Sequence, residues 1–268
     1  MSDPEPDPDP FEQAARQLED RVAEHAVITS SRRFQDAQTH LSRVLTDFAF
    51  VLRLASMAFT RQPDSREWLQ QANVDDVLES IVAIPFLVEQ GIFNAGRREL
   101  RYLLEALVKF VYVDQQLPDA PLAERVAMLA DNKRVPRSSV EPIDWITLRM
   151  VTDQKEFRDA VTSAFGALSG YVHPSKQQVD ERLRRASRGE FTGFEGPKVV
   201  ETVTQLATQT LDLAVVLIFE GVGPAFTGDM YIHLLDDNPK WKFHRTKFTP
   251  EVGRFFDYKF ERQHTAEE

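Results

Sequence analysis

Six polar residues fall on one line of a segment that is otherwise apolar: Asn94, Arg97, Arg98, Arg101, Glu105 and Lys109. At about 100° per residue they cover roughly a third of a helix circumference. Guanidinium groups on such a line offer paired donors in a planar fork, a geometry that grips phosphate or carboxylate. A second segment, Leu168-Ser169-Gly170-Tyr171-Val172-His173-Pro174-Ser175, sets an imidazole among hydroxyl groups, where Gly170 and Pro174 interrupt a helix. An imidazole titrates near neutrality and suits a general base. Joined in one cleft, the two segments would place anion-binding cations beside an imidazole. In such a cleft His173 is the candidate base, and Arg98 and Arg101 are the candidate cations for a bound phosphate or carboxylate. Asn94, Glu105, Lys109, Ser169, Tyr171, Ser175 and Lys176 complete the candidate binding set.

Each feature has a structural alternative. The line reads equally as a solvated face tied by Arg101–Glu105 and Glu105–Lys109 pairs at i,i+4 spacing. The opposite face argues for a central helix, being rich in Leu100, Leu103, Leu104, Leu107, Val108, Phe110 and Val111. Glu99 lies among those apolar positions and needs a partner or a proton. His173 reads equally as a helix-end residue, and the basic run Lys176, Arg182, Arg184, Arg185 and Arg188 as a solvated helix.

The elements that would position these groups are helical. Residues 1–10 alternate acids with proline and read as a disordered tail. Helical periodicity covers Phe11–Val27, then Ser30–Gln62. Asn73 caps a predicted helix over Val74–Gln90 that contains Pro85, and Gly91 permits a reversal into Ile92–Val113. Pro121 opens a short helix to about Lys133, and residues 134–144 read as a loop. Helices over Asp153–Leu168, Lys176–Arg188 and Lys198–Glu220 follow. The expected architecture is an all-α antiparallel bundle over 11–221, with an irregular appendage over 222–268 that contains a short β-like element and packs back on the bundle.

Composition narrows the function. The 268 residues carry 42% hydrophobic content, enough for one substantial core. Cysteine is absent, and the six histidines show no metal-ligand spacing, so neither a disulfide framework, a zinc site nor another cofactor is expected. The N-terminus lacks the pattern of a signal peptide, and the longest proline-free apolar run, Leu213–Phe219, is far short of a membrane span. The expectation is a cytoplasmic protein. A net charge of −10 argues against a general nucleic-acid coat. Lys240-Trp241-Lys242-Phe243-His244-Arg245-Thr246-Lys247-Phe248 interleaves cations with aromatics. That pattern suits base stacking, although a packing arm with its cations in water is the preferred reading.

The pattern Asn94-x3-Arg98-x2-Arg101-x3-Glu105, followed by Ser169-x3-His173-Pro174-Ser175, resembles the HEPN superfamily over about residues 40–220. The resemblance implies a helical bundle, a homodimer, and either a metal-independent ribonuclease of toxin or phage-defence type or a non-catalytic nucleotide- or RNA-binding module. The superfamily signature is an arginine and a histidine with four to six residues between them, and here the corresponding positions before His173 hold Gly166, Ala167 and Leu168. Arg33 and His40 have the spacing but sit on a predicted helix remote from the turn. A third reading is a structural or assembly protein.

Overall fold

The computed structural model describes residues 9–62, 65–172, 175–190, 192–235 and 238–256. Asp9 caps α1 (Pro10–Thr29) by accepting from the Phe11 N–H, and Ser31 caps α2 (Arg32–Phe59) by accepting from Phe34. A single turn, α3 (Leu69–Ala72), precedes α4 (Val74–Glu89). That turn is absent from the sequence reading, and Asn73 stands at the N-cap of α4 as expected but its side chain makes no capping hydrogen bond there. Its amide instead donates backwards to the Leu69 carbonyl at 2.8 Å, closing α3.

Gly91 reverses the chain into α5 (Phe93–Gln116) with φ +68°, and a Cβ there would lie 2.6 Å from the Gly193 backbone. Both facts require glycine. The shorter α6 (Leu122–Ala130) follows Pro121, and α7 (Gln154–Ser169) is capped by Asp153. Next come α8 (Lys176–Ala186), α9 (Pro197–Val222), α10 (Pro224–Met230) and α11 (Thr249–Phe255).

Helices α2, α5 and α9 pack side by side as the axis of the bundle, with α4 against α2 and α5, and α7 across α5 and α9. Every residue of α9 from Thr210 to Val222 is buried, as befits a helix apolar on all sides. It is the one helix among the described residues long and apolar enough to cross a membrane, and most of it lies inside the fold.

Two carboxylates on α9 break that apolar surface, and each anchors an irregular segment. Asp212 accepts from the N–H groups of Lys247, Phe248 and Thr249 and from the Thr246 and Thr249 hydroxyls. Glu220 accepts from the N–H groups of Arg149 and Met150. Buried acceptors left without donors would cost several kcal/mol by burial alone, so these loops are tied down.

The β-like element expected in the appendage is not formed. Among the described residues no strand occurs, and the regular elements after α9 are all helical: α10, a π turn over Tyr231–Leu235, a 3-10 turn over Lys242–Arg245, and α11. The physical reason is local. Pro224 and Pro250 sit in first helical turns, where the missing N–H costs nothing, and an isolated strand would find no ladder partner. The appendage does pack on the bundle: Trp241, Phe243, Phe248 and Val252 join its core.

Candidate functional site

Helix α7 ends at Ser169, and the end of an α-helix leaves carbonyls without intrahelical donors. The polar line of α5 meets that end. Arg98 donates from Nε to the Tyr171 carbonyl at 2.9 Å, and Arg101 donates from Nε to the Ser169 Oγ at 3.0 Å. Ser169 in turn donates to the Phe165 carbonyl at 2.7 Å. The Arg101 guanidinium also lies 4.5 Å from the Phe165 ring centroid. Cations at a helix C-terminus complement its partial negative charge, which explains why this docking is favourable.

Ser175 closes the far side of the turn. Its hydroxyl donates to the Gly170 carbonyl at 2.6 Å and accepts from the Gln178 N–H at 3.1 Å, so one side chain ends the turn and caps α8. His173 and Pro174, between these fixed points, lie outside the described residues.

The other members of the line are paired among themselves. Glu105 takes Lys109 at 2.5 Å on one side and Arg101 at 3.4 Å on the other, and all three are nearly covered. Asn94 accepts from Arg97 at 3.0 Å. Glu99, the carboxylate on the apolar side, takes the Ser80 hydroxyl at 2.9 Å. Arg98 differs: its side chain is exposed, and its two terminal nitrogens have no partner among the described residues. Lys176 is also exposed, but it is paired with Asp180 at 2.6 Å.

Arg97 is only 2% exposed and heads a charged chain that sequence reading did not assemble. Its guanidinium lies 4.1 Å from the Tyr171 ring centroid and 3.2 Å from the Glu181 carboxylate. Glu181 also accepts from the Tyr171 hydroxyl at 2.8 Å and faces Arg185 at 3.9 Å. Arg185 continues to Glu195 at 3.1 Å, and the Glu195 carboxylate takes the Gly193 N–H at 2.8 Å. Burial pushes Glu195 above the usual carboxylate range, against the pull of the Gly193 N–H and Arg185. The available signal was the i,i+4 pair Glu181 and Arg185 on one face of α8. Read as a solvated run, it instead fastens α8 to α5.

The remaining sequence candidates fall elsewhere. Arg33 forms a bidentate pair with Glu201 at 2.7 and 2.8 Å on the outside of the bundle. His40 stands in α2, away from the turn, where burial and the charges of Lys242 and Arg43 lower its pKa. In the C-terminal stretch Trp241, Phe243 and Phe248 are buried, so these rings cannot stack on bases. A groove of about 440 Å³ lies between α7, α9 and this arm, floored by Ala160, Ala164 and Leu213 with Arg245 at its edge. None of the predicted site residues lines it. Among the described residues no cluster of three metal-ligating side chains occurs.

No family model, no curated protein and no solved structure matches this chain.

Proposed function

We propose that the protein is a HEPN-like helical module that binds the phosphates of RNA or a nucleotide where α5 meets residues 168–172, without cleaving its ligand. The observation that carries this reading is the state of Arg98. Its Nε is anchored on the Tyr171 carbonyl, so the fork is held in place, while the residue is exposed and both terminal nitrogens have no partner among the described residues. A pre-positioned fork loses little freedom on gripping a phosphate. Arg101, Glu105 and Lys109 supply the frame, with one carboxylate shared between two cations.

The non-catalytic form is favoured because Gly166, Ala167 and Leu168 occupy the positions of the signature arginine, and Leu168 is fully buried. A metal-independent ribonuclease is the second reading. It draws support from His173, which follows Tyr171 by two positions in the chain.

The test is a titration of labelled single-stranded RNA and of ATP in EDTA, with wild type, Arg98→Ala and His173→Ala. Binding that is lost in Arg98→Ala, kept in His173→Ala and free of cleavage supports the module. Cleavage abolished by His173→Ala establishes the ribonuclease instead. Absence of binding to either ligand removes both readings.

A further inference from the structure

The groove of about 440 Å³ between α7, α9 and the C-terminal arm is separate from the junction of α5 with the turn, and it has its own chemistry. Its depth comes from side-chain length. Ala160, Ala164 and Ala167 put short side chains on one flank of α7, while Leu206 and Leu213 of α9 form the facing wall. The arm closes one end and is fixed there, because Asp212 accepts from the Thr246 hydroxyl and the Lys247 N–H. Arg245, next to Thr246 in the chain, is thereby held at the rim.

Three polar side chains line this apolar groove unpaired. Arg245, Ser163 and Gln209 have no side-chain hydrogen bond or ion pair among the described residues. The other charges at the groove are occupied. Lys247 is paired with Glu156 at 2.6 Å, and the Asp212 carboxylate is taken up by five donors from the arm. A concave apolar surface of about 300–1,000 Å³ carrying a few polar groups is the usual make-up of a small-molecule site.

We propose that this groove binds a small amphiphilic monocarboxylate. Its hydrocarbon body lies between α7 and α9, its carboxylate meets Arg245, and Ser163 and Gln209 offer further hydrogen bonds. Charge and shape select this class. A guanidinium fork takes a carboxylate through two parallel hydrogen bonds. With Lys247 neutralised by Glu156, Arg245 is the one unpaired cation lining the groove among the described residues, and the negative charge of Asp212 opposes a second anionic group. A phosphate dianion or a nucleic-acid strand, which needs several cations, is therefore disfavoured. Phe243 and Phe248 are buried and offer no face to a base.

The test is calorimetric titration of the full chain with octanoate and with 1-octanol, each to about 2 mM, a range that reveals a submillimolar site. Wild type binds one octanoate per chain, and 1-octanol at least about tenfold more weakly. Arg245→Gln, at an exposed position, abolishes that preference by weakening octanoate alone. Ala167→Phe, also at an exposed position, fills the groove and weakens both ligands at least about tenfold. Circular dichroism confirms that each variant is folded. Absence of saturable octanoate binding overturns the proposal. So does equal octanoate affinity in wild type and Arg245→Gln, or undiminished binding to Ala167→Phe, which puts the ligand elsewhere on the chain.

Discussion

Replacing Arg97 with methionine tests whether the charged chain from α5 through α8 holds the turn. Methionine keeps much of the side-chain volume and removes the guanidinium, so the loss is electrostatic more than steric. Arg97 is 2% exposed and its partner Glu181 is 24% exposed. Breaking a fully buried pair costs about 3–5 kcal/mol. Glu181 keeps the Tyr171 hydroxyl at 2.8 Å and Arg185 at 3.9 Å, and is partly solvated, which brings the ionic share to about 2 kcal/mol. Loss of the guanidinium over the Tyr171 ring adds about 1 kcal/mol. The sum, about 3 kcal/mol, corresponds to a fall in melting temperature of roughly 6–12 °C for a chain of this size. Arg97→Lys retains the charge without the fork and falls between wild type and Arg97→Met. Urea titration followed by circular dichroism reads the stability, and hydrogen exchange reads residues 175–186 separately. A change within about 0.5 kcal/mol, the range of an ordinary surface substitution, refutes the reasoning.

Two further perturbations address the anchors on α9. Asp212→Ala orphans the N–H groups of residues 247–249 and releases the C-terminal arm; it costs about 3 kcal/mol and opens residues 238–256 to limited proteolysis, whereas an unchanged digestion pattern contradicts the anchor. Burial raises Glu220 above its ordinary value of 4.5, against the pull of the Met150 and Arg149 N–H groups. The stability it contributes is therefore complete below that unfolded value and is lost as pH rises through the folded one. In urea midpoints, the difference between wild type and Glu220→Gln shifts in favour of wild type on going from pH about 7.5 to about 5; a shift the other way contradicts the sign.

Helix positions were legible because they follow from apolar periodicity and punctuation: Gly91, Pro121 and Asp153 mark boundaries that the fold uses. The strongly apolar stretch Lys198–Glu220 likewise reads as a core helix, and the fold buries every residue from 210 to 222. The appendage was misread because glycine, proline and aromatics fit short strands and short helices alike, and the choice is made by partners distant in sequence. Asp212 makes that choice across more than thirty residues.

The line on α5 was legible as a line, but its environment was not. Arg97 and Arg98 are adjacent in sequence, yet one is buried under Tyr171 while the other reaches solvent. A rotation of 100° separates them, and only the docking of α7 and α8 decides which side is covered. Glu181 and Arg185 looked like surface charge for the same reason. Asp114 and Arg125, a buried pair at 2.7 Å that holds α3 and α6 to α5, carried no sequence signal beyond being charged.

The salt dependence of RNA binding tests the role given to Arg98 most directly. For single strands the slope of log K against log salt is about −0.7 per phosphate neutralised. If Arg98 holds one phosphate, Arg98→Ala, shown to be folded by circular dichroism, binds a short single-stranded RNA more weakly and with a slope shallower by about 0.7. Equal affinity and equal slopes in wild type and variant would contradict phosphate recognition at the junction of α5 and the turn.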